Sequence, residues 1–113
     1  MENNKLEMMT RLKELKELSS KVESNLEKDG LGITNLNKEQ LFRYNLRNII
    51  ISTEALLRNE PSEKPVIRLK KEIPDAYENI KKLVLTKAGK NNSDDLNKIR
   101  ELASFIELNF QRV

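Results

Sequence analysis

Apolar residues recur along most of this chain at alternating steps of three and four. In the first segment Met8, Leu12, Leu15, Val22 and Leu26 step by four, three, seven and four, and Ser19 stands at the position the long step skips. That spacing puts about one side chain per turn on one helix face, a heptad-like stripe that Leu18 widens. It predicts a helix over 4–29. Asp29-Gly30 ends it, because glycine accepts the left-handed conformation that follows many helix C-termini.

The second segment opens with a start signal. Asn37 can cap, Gln40 stands three residues later, and Leu36 and Leu41 flank the cap as a hydrophobic staple. A helix is predicted over 38–59, stopped by Pro61, which disfavours helical geometry at the residue before it. Phe42, Leu46, Ile49, Ile50, Ala55, Leu56 and Leu57 cover a broad arc, and Arg43, Arg47, Glu54 and Arg58 share the rest. The β-branched triplet Ile49-Ile50-Ile51 has some strand preference. A run this long with that partition reads instead as the most buried helix of a bundle, with Ile49 or Ile50 in the core.

Val66, Leu69, Ile73, Ala76, Ile80 and Leu83 carry the three-four stepping through a third segment, 65–88, with Pro65 suited to the first turn and Ala88-Gly89 as its end. Pro74 falls inside it. A proline there removes one backbone hydrogen bond and crowds the preceding turn, yet the stripe keeps phase across it, so one helix bent at Ile73-Pro74, or else two helical pieces sharing one face, is expected. After a "GKNN" loop, Ser93 is expected to cap a fourth helix, 94–112. Asp94 and Asp95 lie where the helix dipole favours negative charge, and Leu96, Ile99, Ala103, Ile106, Phe110 and Val113 form its stripe. The expected fold is all-α, a single domain over 1–113: an antiparallel four-helix bundle with a proline-bent third helix. Leu18, Ile51, Leu102, Phe105 and Leu108 lie beside the stripes. They either widen the core faces or form a surface for a second copy or another protein.

Composition agrees with a helical protein of one core. Of 113 residues 37% are hydrophobic and 35% charged, with three Gly and three Pro. Aromatics are 4%, so Leu, Ile and Val must build the interior. The absence of Cys excludes disulfides, thiolate metal sites and thiol catalysis, and the absence of His removes the commonest general base. No secretory signal layout is evident in the first residues, and charges interrupt every apolar run before membrane-spanning length. A soluble cytoplasmic protein is expected.

Candidate chemistry adds little. Against calcium-loop spacing, Glu27, Asp29 and Gly32 fall at positions one, three and six, but Leu31 and Lys38 occupy positions that need oxygen ligands. Gly30-Leu31-Gly32 lacks the strand, Lys and hydroxyl of a phosphate loop. No carboxylate falls in an expected apolar pocket that would suit it to acid–base work. Glu14 and Glu17 read as ordinary helix-surface partners of Lys21. The expectation is a protein that is not an enzyme and uses no cofactor or metal.

Charge points to partners instead. Of the net +3, the excess sits in residues 61–92, with eight cations against four carboxylates. Arg68, Lys70, Lys71, Lys81 and Lys82 are the candidate partner-binding residues, and Lys87 and Lys90 extend the stripe. It suits an acidic protein or an anionic membrane face, if it is more than a solvated side. Nucleic acid is not expected, for want of an aromatic stacking set.

The opening "MENNKLEMMTRLKELKELSSKVESNLEKDG", the Asn/Lys/Ile-rich composition without His or Cys, and the length resemble the BlyB family of Borrelia prophage holin-accessory (haemolysin-accessory) proteins. The resemblance spans the chain in general character rather than through a diagnostic motif. It implies a cytoplasmic helical protein that assists or stabilises a small membrane-active holin during phage lysis; a homo-oligomer is a separate expectation, left open by the residues beside the stripes. A looser likeness is to the four-helix immunity proteins against pediocin-like bacteriocins, basic proteins of similar size that act at the inner membrane face. A generic phage or plasmid regulatory module is the remaining reading.

Overall fold

The computed structural model describes residues 2–28, 36–58 and 63–112. The elements are α1 (Glu2–Lys28), α2 (Leu36–Leu57), α3 (Glu63–Leu83), a five-residue α4 (Lys87–Asn91) and α5 (Ser93–Asn109), with a 3-10 turn over Phe110–Arg112. No strand occurs among the described residues. The Ile49-Ile50-Ile51 triplet is helical, its strand preference overridden by the packing of the face around it. The chain forms a body of 43 × 22 × 18 Å.

The stripes are the core. Met8, Leu12, Leu15, Val22 and Leu26 of α1 are buried, and so are Phe42, Leu46, Ile49 and Leu56 of α2. Leu69, Ile73, Ala76, Ile80 and Leu83 of α3 meet Leu96, Ile99, Ala103 and Ile106 of α5, and Phe110 of the 3-10 turn closes one end. Ser19 is buried where the α1 stripe skips a hydrophobe. Of the residues beside the stripes, Leu102 is buried and Leu18 and Phe105 pack against the core, whereas Ile51 and Leu108 remain exposed.

The long helices contact one another in the order α1–α2–α3–α5–α1, most extensively at α2–α3 and α1–α5. On α1 and α2, Lys16 pairs with Glu54 at 2.9 Å and Glu27 with Arg43, so the two helices run in opposite directions. On α1 and α5 the sense is also opposite, with Lys21 against Asp95 at 3.4 Å and the Arg11 guanidinium 5.3 Å from the Phe105 ring centre. Lys21 therefore pairs across helices and not with Glu14 or Glu17. Glu14 instead lies 3.7 Å from Arg11.

Element boundaries lie within three residues of the sequence expectation except where α3 ends. Helix α2 starts at Leu36, so Asn37 lies within its first turn rather than before it, and Leu41 is exposed. The side chains of 36–38 lie outside the described residues, as do the expected helix stops at Asp29-Gly30 and at 59–61.

The largest departure follows α3, which ends at Leu83 and not at Ala88-Gly89. Thr86 turns the chain: its hydroxyl donates to the Leu83 carbonyl at 2.7 Å and accepts from the Gly89 N–H at 3.0 Å, capping α4. The stretch that reads as a loop is thus a helical turn, with Ala88, Gly89 and Asn92 buried. Ser93 is the first residue of α5. The cap position belongs to Asn92, whose side chain donates to the Ala88 carbonyl at 2.8 Å and makes no cap hydrogen bond. Asp94 and Asp95 do occupy the first turn. Pro74 is exposed inside α3, which continues on both sides of it.

Candidate functional site

The five candidate residues of α3 are all exposed, because the opposite face of that helix is committed to the core. At 3.6 residues per turn they divide into two rows: Lys70 with Lys81, and Lys71 with Lys82, which Arg68 joins three residues before Lys71. Asp75 and Glu78 lie among them. None of the five makes an ion pair among the described residues. Their ammonium and guanidinium groups are held by the helix alone, and an anionic partner would not have to displace an existing carboxylate.

Two further surfaces flank the C-terminal half of α2. Between α1 and α2 a groove of about 500 Å³ has Met9, Leu12 and Leu57 as apolar lining and Lys5, Lys13, Lys16 and Arg58 around it, with Glu54 as its one carboxylate. Between α2 and α3 a second groove, about 480 Å³, is lined by Ile51, Ser52, Ala55 and Pro65 with Arg58, Lys64 and Arg68, against Glu63. Arg58 borders both. The Ser52 hydroxyl is buried with no hydrogen-bond partner among the described residues.

The most buried polar chemistry lies elsewhere, inside the α2–α3 contact. The Asn79 side chain donates to the Asn45 carbonyl oxygen at 2.5 Å, and the Asn45 amide donates to Glu72 Oε2 at 3.0 Å. Glu72 is 3% exposed, so a carboxylate does stand inside the fold, contrary to the reading of the sequence. Its hydrogen-bond partner is an amide, and no nucleophile or cation accompanies it in that network. Glu39 is a second buried carboxylate, 2.5 Å from Arg43, which also reaches Glu27 across the α1–α2 contact. The hydrogen bond to Glu27, with the charges of Glu39 and Glu23, raises the Arg43 pKa further above its ordinary value, against the opposing effect of burial.

The buried polar residues of the α2–α3 contact had a signal in the sequence. On α2 the positions 42, 45, 49, 52 and 56 step three, four, three, four, and on α3 so do 69, 72, 76, 79 and 83. Asn45, Ser52, Glu72 and Asn79 occupy alternate places in these two stripes, which marks polar residues facing a partner helix.

No group of three His, Cys, Asp or Glu among the described residues is arranged to hold a metal ion. The calcium-like spacing falls largely outside the described residues, and its Glu27 is engaged by Arg43. No helix among the described residues is long and apolar enough to cross a membrane. The chain matches no protein-family model, no curated protein and no solved structure.

Proposed function

We propose that this chain is a non-enzymatic helical interaction protein of the holin-accessory kind, similar to the BlyB family, acting in the cytoplasm on a small membrane-active peptide during phage lysis. Its long helices form an antiparallel four-helix bundle, bent at Pro74, that carries the basic face of α3 toward its protein partner. The circular order of helix contacts supports the bundle, and the missing backbone donor at Pro74 supports the bend. One observation carries the functional reading. Arg68, Lys70, Lys71, Lys81 and Lys82 stand exposed and without ion pairs among the described residues, on a helix whose other face is locked into the core. A charged face mounted this way offers electrostatic steering with little reordering on binding.

The test is co-purification with candidate small membrane peptides from neighbouring genes, at low and moderate salt, with Lys70, Lys71, Lys81 and Lys82 reversed to Glu in a second preparation. Salt-sensitive binding that the reversal abolishes is expected. Unchanged binding by a folded variant would move the contact off α3. A leader-bearing bacteriocin gene as the neighbour would favour the immunity reading instead.

A further inference from the structure

Beyond the basic face of α3, a second surface combines charge with exposed aliphatic side chains. Around the two grooves beside α2, six cations (Lys5, Lys13, Lys16, Arg58, Lys64 and Arg68) face two carboxylates, Glu54 and Glu63. Lys16 is already paired with Glu54. Helix α5, on the other side of α1 and α3, carries Asp94, Asp95, Glu101 and Glu107 against Lys98 and Arg100. The molecule is therefore electrically lopsided, positive around α2 and negative along α5.

Large aliphatic side chains are exposed beside those cations. Met9 and Ile51 line the two grooves and are 50% and 45% exposed, and Leu6, next to Lys5, is 62% exposed. They come from α1 and α2 and border different grooves, so no single bound helix lying in one groove would cover them all. An acidic protein surface would match the lysines and leave these side chains in water. Nucleic acid would do the same, and the grooves offer no aromatic side chain on which bases could stack. An anionic bilayer surface satisfies both demands. Phosphate head groups meet the ammonium and guanidinium groups, while aliphatic tips enter the boundary between head groups and acyl chains.

We infer that the face formed by α2 and the adjoining flanks of α1 and α3 docks on an anionic lipid surface, without insertion of any helix across it. The contact uses Lys5, Lys13 and Lys64 electrostatically and Leu6 and Met9 as shallow anchors. Apart from Arg68, which borders both, it uses other residues than the protein contact assigned to α3, and either can fail without the other.

The experiment is co-sedimentation of the full chain with vesicles of phosphatidylcholine alone and of phosphatidylcholine mixed with phosphatidylglycerol, at low and moderate salt. Binding to the mixed vesicles only, weakened by salt, is expected. Lys5→Glu, Lys13→Glu and Lys64→Glu together should lower partitioning at least about 100-fold, from the charge lost near the lipid surface. Leu6→Gln with Met9→Gln should lower it and leave its salt dependence in place. The control carries the same charge change elsewhere, Lys70→Glu, Lys81→Glu and Lys98→Glu, and should bind nearly as the parent does. Circular dichroism establishes that each variant is folded. Failure of the parent chain to bind the mixed vesicles overturns the inference, and so does an equal loss in the control, which would mean net charge alone.

Discussion

The Asn45 side-chain amide donates to the Glu72 carboxylate at 3.0 Å, inside the contact between α2 and α3. Asn45 also accepts from Asn79, so one side chain serves both partners on the facing helix. Polar groups placed like this are satisfied only when the two helices meet in one register, since a shift by a turn would strand the carboxylate among Leu and Ile side chains. Asn45→Ala is expected to lower stability by roughly 3 kcal/mol, because it leaves two buried groups unpaired. Glu72→Gln, which keeps an oxygen acceptor in place, should lose less. Chemical denaturation measures both, and a loss under about 0.5 kcal/mol for Asn45→Ala would mean that water replaces the amide freely.

Ile49 and Ile50 are neighbours with different fates. Ile49 is fully buried and Ile50 only partly, packed at the margin of the core. Ile49→Ala should cost about 2–5 kcal/mol, as full-length truncation in a closed core does, and Ile50→Ala less than half of that. Equal losses from urea unfolding would place both at the same depth and contradict this packing.

Gly89 sits against the end of α3. A Cβ there would lie 1.7 Å from the Leu83 carbonyl oxygen, which is backbone and cannot swing aside as a flexible side chain would. Gly89→Ala is therefore expected to destabilise by about 3 kcal/mol even though alanine is the better helix former. A thermal melt suffices. An unchanged or higher melting temperature would mean that the close approach is not maintained.

Tyr77 donates to Glu107 at 3.2 Å, and burial, with the Glu107 charge second, pushes its phenol up to about 12. The folded state thus holds the phenolic proton more tightly than the unfolded chain, whose value is 10.0. Its contribution to stability is complete below pH 10.0 and disappears as pH rises to about 12. In a Tyr44→Phe background Tyr77 is the only tyrosine, and its ultraviolet titration should have a midpoint near 12. A midpoint close to 10 would mean that the ring lies in water.

Periodicity made the four long helices and most of the interior legible, because a three-four stripe states both the helix and the side it buries. Boundaries were less so. The Thr86 turn depends on a hydroxyl that donates to one backbone group and accepts from another, a local competition that apolar spacing does not register. The buried polar set was missed for a related reason. A stripe read by its hydrophobes alone passes over Asn45 and Glu72, although their spacing places them in it. Candidate cations were easy to find by charge. Their division into two rows on α3 follows from helical spacing alone, whereas the grouping of Lys5, Lys13 and Lys64 from distant parts of the chain exists only once the helices are packed.

The corner between α3 and α5 has a consequence for how this gene tolerates rearrangement. Connections between helices usually accept insertions and new termini, since they carry few buried groups. Here Ala88, Gly89 and Asn92 are interior, and the backbone from Leu83 to Leu96 is tied by successive hydrogen bonds at 2.9–3.1 Å, from Thr86 to Leu83, Lys90 to Thr86, Asn92 to Gly89 and Leu96 to Asn92. A circular permutant opened at Lys90, or a tag spliced there, would dismantle the joint instead of lengthening a tether. Proteases that need an extended strand of substrate would likewise find this stretch closed to them.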